Sequence, residues 1–385
     1  MITTKTAYTR EIDDCAAAVA DLLAQLDLAA DTSHNKVGII SCHYEFVFSG
    51  LVSELCGQLP FPVIGIISSA NAVRDAADML MLSIMVLSSD KVSFSTSLSS
   101  SLLEDAPAAI AEAYRAAAAD HEERPALILS FAGFLQQNSG DQYVAVLNEI
   151  SQGIPCFGSL AVDDTADFAN SYAIYNSEHH RDRMALLLIY GDIKPRFYTA
   201  TISADKIIAK AALITSSEGH ILKEVNGRPI VDYFTSLGLT KASETSYAMT
   251  SLPFMLDYND GTPPVSRVFV GLNEQLHAIC AGAMPEGATM YIGVFDDADV
   301  LLTTRLAIQQ ALAESTPSCV LSYSCIARLM AMGSNTTGEM DMVRELLAAA
   351  PPFLMSCSGG EICPTNRQDT LINRFHNNTF TLCVF

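Results

Sequence analysis

The run Val320-Leu321-Ser322-Tyr323 reads as a buried strand, and it leads directly into Ser324-Cys325-Ile326-Ala327-Arg328. A thiol and a guanidinium therefore stand three residues apart just past a strand end, where open α/β sheets tend to hold ligands. Arginine offers a planar fork of donors that suits a carboxylate. A second turn, Ser356-Cys357-Ser358-Gly359-Gly360-Glu361, has two glycines that permit close backbone approach. Its carboxylate, Glu361, can face Arg328 or receive an amine. The same residues also suit a buried Arg–Glu pair that locks two turns together, with Cys325 as core filler. A third reading is nucleophilic. Cys325 would then need a base such as His376 to lower its pKa, and 51 residues separate the two.

Other clusters admit chemistry without requiring it. Cys42-His43-Tyr44-Glu45 follows a strand and can be a ligand or metal cluster, or simply a rim histidine with hydrogen-bonded neighbours. Asp163-Asp164, after the strand Pro155 to Leu160, can bind an amine or a cation; turn formation is the equal alternative. His179-His180-Arg181 reads as a solvated turn, and Met330 and Met332 as packing. Cys357 and Cys363 lack the second ligand pair that a zinc site needs. The ten cysteines show no extracellular spacing; Cys15, Cys56, Cys280, Cys319 and Cys383 sit in apolar surroundings, as reduced core thiols do.

The elements that must position these groups follow from periodicity. Residues 10 to 28 carry Ile12, Cys15, Val19, Leu22 and Leu26 at helical spacing. Val37 to Ile40 and Pro62 to Ile67 are short buried strands on either side of a helix from about Phe46 to Leu59, which predicts a parallel crossover. Residues 79 to 98 predict two strands split at Ser88-Ser89-Asp90, and an Ala-rich helix follows Asp105. Strand, helix and strand recur at Pro125 to Phe131, Asp141 to Gln152 and Pro155 to Leu160, and Tyr172 to Ser216 predicts strand after strand.

Past Ser216-Ser217-Glu218-Gly219, an Asn-Gly turn at Asn226-Gly227 precedes a helix opened by Pro229. Strands are expected between Tyr247 and Val294, a long helix from Asp299 to Glu314, and closing strands at Phe353 to Cys357 and Thr379 to Phe385. Thr336 and Glu339 have capping-box spacing at the head of a further helix. The fold class expected is α/β, two mixed-sheet domains in tandem: an N-terminal helix and linker over 1–35, a first domain over 36–217 and a second over 218–385.

Composition bounds the partners. Half of the 385 residues are hydrophobic and 17% are charged, ample for large cores. A formal charge of -21 opposes nucleic acid and anionic membrane surfaces, while a lone cation in a pocket can still hold a small anion. No apolar run reaches the roughly 18 residues needed to span a bilayer, and no basic-then-apolar leader opens the chain, so a cytoplasmic location without membrane insertion is expected.

The chain resembles the FIST family. Cys325, Arg328, Glu339, Gly360-Glu361-Ile362 and His376-Asn377-Asn378-Thr379-Phe380 are similar in order and spacing to the end of its C-terminal domain. Val225-Asn226-Gly227-Arg228-Pro229-Ile230 with Tyr233 resembles that domain's opening. Pro62-Val63-Ile64-Gly65 and Phe157-Gly158 through Asp163-Asp164 are similar to its N-terminal domain, and the likeness covers roughly residues 36 to 384. The resemblance implies a sensory protein of bacterial signal transduction that binds a small molecule such as an amino acid or organic acid. It also implies a separate signalling partner, a histidine kinase or similar, because the two domains consume nearly the whole chain.

The expected ligand set is Cys325, Arg328, Gly360, Glu361, Asp164, Asn226, Arg228 and Asn377. Two alternatives stand beside it: a haem-binding nitric oxide sensor with His43 or His376 as axial ligand, and an enzyme that uses Cys325.

Overall fold

The computed structural model describes residues 2–385 except 136–137, 166, 240–251, 295 and 369; Tyr247, where strands were expected to resume, lies outside the described residues. Among the described residues the strands form four sheets. The first runs in the order Thr3–Thr9, Leu82–Ser89, Asn35–Cys42, Val63–Ile67, Ala173–Tyr175 and Glu178–His180. Asn35–Cys42 and Val63–Ile67 are its parallel pair, as the crossover pattern predicts. The intervening helix was expected in one piece and is broken into Glu45–Phe48 and Leu51–Gln58. Gly50, at φ 87°, sits at the break, in a backbone region that glycine adopts without steric cost. His179 and His180 lie in a strand, not in the turn expected for them.

The second sheet is ordered Thr370–His376, Glu361–Arg367, Cys156–Leu160, Leu127–Ala132, Met184–Tyr190 and Ser93–Leu98. The third is ordered Arg196–Ala200, Phe380–Val384, Val320–Cys325, Phe353–Ser358, Asn71–Val73 and Ala76–Asp78. Both mix early and late stretches of chain. Glu361 pairs with Ser159, and Met355 pairs with Ala72. The expected boundary after residue 217 falls inside the hairpin of Ala212–Glu218 and Ile221–Val225, where Glu218 opposes Ile221. Residues 1–35, expected as helix and linker, also supply the strand Thr3–Thr9, paired along its length with Leu82–Ser89. The fourth sheet is antiparallel and built of shorter strands drawn from residues 212 to 292, with Val265–Arg267 and Phe269–Leu272 at the ends of its order and Ala212–Glu218 beside Thr289–Ile292 in its middle.

Three sheets share one core. Its centre holds Phe131 and Phe157 from the second sheet and Tyr323 from the third, with ring centroids 5.9 and 5.3 Å from the tyrosine. Each such fully buried aromatic contributes about 2 kcal/mol or more through removal from water. All ten cysteines are free; Cys280, Cys319 and Cys383 are buried as their apolar surroundings predict, whereas Cys15 and Cys56, on helix faces that are partly open to solvent, are only half-buried. No described helix is long and apolar enough to cross a membrane.

Candidate functional site

Two parallel strand pairs set up the site. Leu127–Ala132 lies beside Cys156–Leu160, and Val320–Cys325 beside Phe353–Ser358. At the carboxyl ends of all four strands, one cavity of about 590 Å³ opens, touched by Phe134, Leu160, Cys325 and Gly359. Chain ends of parallel strands leave such crevices because the connections turn away from the sheet there. The fourth sheet closes the cavity with Val268, Phe269, Val270 and Ile279. Phe168 completes the apolar wall, its ring edge-on to Phe134 at 5.4 Å. Its φ of 54° is a costly conformation for a bulky side chain, of the kind that gathers at ligand-holding segments.

One polar side chain stands out in this wall. Asn377 is 1% exposed, and neither its amide nitrogen nor its amide oxygen has a partner. Its backbone is fixed: Asn377 N–H donates to the Ser266 carbonyl at 3.2 Å, and Thr379 Oγ1 donates to the Asn377 carbonyl at 2.6 Å. Asn378 holds the turn with φ 48°, a conformation asparagine tolerates. The Asn-rich segment is thus the turn between Thr370–His376 and Phe380–Val384. Gly360 makes room beneath it. A Cβ there would lie 2.3 Å from the Phe375 ring and 3.0 Å from Asn377 Nδ2.

Cys325 lines the cavity and caps its strand, its N–H donating to the Thr379 carbonyl at 3.0 Å. Burial, with the Glu361 carboxyl beside it, holds the thiol well above its ordinary pKa. The base proposed for it is absent: His376 Nε2 lies 3.1 Å from the Cys363 carbonyl, and burial lowers the imidazole pKa to about 3. A protonated, buried thiol without a base is a poor nucleophile, so the geometry opposes a Cys325 enzyme. Glu361 lies behind the cavity wall. Ser358 Oγ donates to its Oε1 at 2.5 Å, while Oε2 is buried without a partner. Burial raises its pKa well above the ordinary carboxylate range.

Arg328 does not line the cavity. Its guanidinium donates to Glu339 Oε1 (2.9 and 3.1 Å), to Thr304 Oγ1 (2.7 Å) and to the Val300 carbonyl (3.0 Å). Glu339 in turn accepts from Thr304 and Ser324 hydroxyls, each at 2.6 Å. This buried Arg–Glu pair joins the expected arginine to a different carboxylate. Glu339 was read as a capping-box residue; it faces inward instead, and Thr337, at the helix head, makes no side-chain cap.

The remaining nominated residues are scattered. Asn226 sits at φ 51° in a hairpin turn and accepts from Leu213 N–H at 2.8 Å, and Arg228 is exposed beside it; neither lines the cavity. Asp164 lies 3.4 Å from His43 Nε2, again outside the cavity wall. Neither haem candidate fits an axial role. His376 is enclosed with Nε2 on a backbone carbonyl, and His43 has Nε2 against Asp164 and Nδ1 accepting from Glu45 N–H at 3.4 Å. No cluster of metal-ligating side chains occurs among the described residues, and Cys357 and Cys363 are separately buried.

Sequence reasoning missed Phe134, Phe168 and the Val268 to Ala281 wall. The strand-end rule that nominated Cys325 applies equally after Leu127–Ala132 and points to Phe134. Nothing in the sequence marks the fourth-sheet residues, which reach the cavity only through tertiary closure.

A mixed-sheet α/β architecture with a ligand-sized cavity at strand ends is the class that fold and geometry define. The FIST N domain family matches residues 36–228 and the FIST C domain family matches residues 231–364. The chain belongs to the FIST family, whose domains are generally sensory and bind small ligands in signalling. No match was found among curated proteins. Among solved structures, cyanuric acid hydrolase from A. caulinodans is similar at 8% identity and TM-score 0.39, over 100% of this chain and 99% of that one. Thermotoga maritima PurL complexed with AMPPCP gives 10% identity and TM-score 0.21, over 99% and 72% of the two chains. PurLQS from the same organism gives 9% and 0.22, over 100% and 72%.

Proposed function

We propose that this chain is a sensory module that binds a small molecule in the cavity at the ends of the two parallel strand pairs. One observation carries the reading: the Asn377 amide is buried in the cavity wall with both polar atoms unpartnered. A buried amide without hydrogen bonds costs free energy, and a wall that keeps one is organised for a guest that supplies them. The volume, about 590 Å³, suits a metabolite-sized molecule.

Both family segments contribute walls, so a bound molecule bridges them and favours the closed arrangement over any looser one. The altered surface is then read by a separate signalling protein, such as a histidine kinase. Asp164, Asn226 and Arg228 are assigned no part in this binding.

Native mass spectrometry of the purified chain, followed by mild denaturation and mass analysis of what is released, tests the proposal. A released small molecule that raises Tm when added back supports it. A ligand-free protein whose Tm responds to no member of a broad metabolite set overturns it.

A further inference from the structure

We infer that the ligand is electrically neutral and mainly apolar, and that it presents an amide-type edge, one donor beside one acceptor, to Asn377. This rests on the cavity being a ligand site and names the chemistry it selects. Three observations converge. First, among the described wall residues, the side chain with buried and unpartnered polar atoms is itself an amide. The other wall amide, Asn138, already donates to the Leu102 carbonyl at 2.9 Å, whereas Asn377 Nδ2 and Oδ1 have no partner. A carboxamide pairs best with a group carrying its own donor and acceptor side by side, such as a lactam, a primary amide or the corresponding edge of a heterocycle.

Second, no free charge stands at the buried end. Arg328 is fully engaged with Glu339 and backbone carbonyls, and Glu361 is tied to Ser358 behind the wall. Apart from thiols, the ionisable side chains among the described wall residues are Asp167, which is exposed, and His220, which is half-buried. An ionised head placed against Asn377 would lose its hydration with no counter-charge to replace it. Third, the wall is otherwise apolar: Phe134, Phe168, Val268, Phe269, Ile279 and Met330 surround the space left for the body of the ligand. An amino acid zwitterion, with two charges close together, fits this wall poorly.

The test uses the full chain and five matched probes, 2-quinolone, benzamide, benzoate, benzylamine and benzamidine, followed by ligand-observed NMR and calorimetry. 2-Quinolone and benzamide are expected to bind at least about 10-fold more tightly than benzoate or benzylamine. Asn377→Leu should lose that preference, and circular dichroism checks that it folds. Asn377→Asp, nearly isosteric, should turn the selection toward benzamidine, whose two N–H donors match a carboxylate.

Benzoate binding as tightly as benzamide would overturn the inference. So would unchanged benzamide binding in Asn377→Leu, which would leave the amide to hold only water. A charged molecule released from the purified protein also overturns the inference while leaving the sensor reading intact. If no probe binds and nothing is released, the sensor reading itself fails.

Discussion

Two buried polar clusters flank the strand Val320–Cys325, and they are finished to different degrees. Around Arg328 and Glu339, both carboxylate oxygens and the guanidinium find partners among Thr304, Ser324 and backbone carbonyls. Around Asn377, the amide has none, and Glu361 Oε2 and His376 Nδ1 nearby are also left bare. A closed network joins elements and needs nothing further. An open one is destabilising in isolation and becomes favourable only when something else completes it. The difference teaches that the charged residue, although chemically the more conspicuous, serves the architecture, while the neutral one, in the cavity wall, is left open.

Breaking the closed cluster should have the largest effect. Glu339→Ala strands the Arg328 charge in the interior and should cost about 3 to 5 kcal/mol of stability in urea unfolding. A loss below about 1 kcal/mol would dissolve the distinction between the clusters.

The open cluster should show itself in opposite pH slopes. His376, held near pKa 3 by burial, stays neutral in the fold while the unfolded chain takes up a proton below about pH 6.5. Stability should therefore fall by roughly 1.4 kcal/mol for each pH unit from about 6.5 down toward 3, and His376→Gln should flatten that limb. Glu361 acts in the other direction: its raised pKa keeps it protonated in the fold after the unfolded carboxyl ionises above about pH 4.3. Its contribution is thus fullest in acid and lost as pH rises toward the folded pKa, and Glu361→Gln should gain on wild type across that window in pH-dependent urea melts.

Replacing the open amide itself should be mild and of the unusual sign. Ligand-free Asn377→Leu removes two unpartnered atoms and should unfold at equal or slightly higher denaturant, by up to about 1 kcal/mol. A loss of several kcal/mol would mean that the amide has structural partners after all. Smallest of all, Arg228→Ala, exposed in a hairpin, should leave both stability and probe binding within error.

Local pattern carried much of this architecture into the sequence. The buried strands at 37–40, 62–67, 125–131 and 320–324 are read from largely apolar runs, and the last two are among the four whose ends frame the cavity. The hairpin of Glu361–Arg367 and Thr370–His376 was not read, because Pro364, Asn366, Asn373 and Arg374 interrupt the alternation. Cys325 and Asn377, both of which line the cavity, were visible as candidates because their neighbours are distinctive. Arg328 was visible too, but its partner was mistaken: Glu339 and Glu361 are equally plausible carboxylates along the chain, and only the inward turn of the helix Gly338–Leu346 decides between them.

The strand Phe380–Val384 lies between Arg196–Ala200 and Val320–Cys325, in the interior of its sheet rather than at an edge. A growing polypeptide therefore makes Arg196–Ala200 long before the strand that must sit beside it exists. Until residue 384 emerges, two strands separated by well over a hundred residues wait with open hydrogen-bonding edges. Closing that gap is a high-contact-order event, slow by nature and exposed to mispairing with other chains. Synthesis of this protein should thus be unusually sensitive to loss of Phe380–Val384, and to chaperones that shield the unfinished sheet.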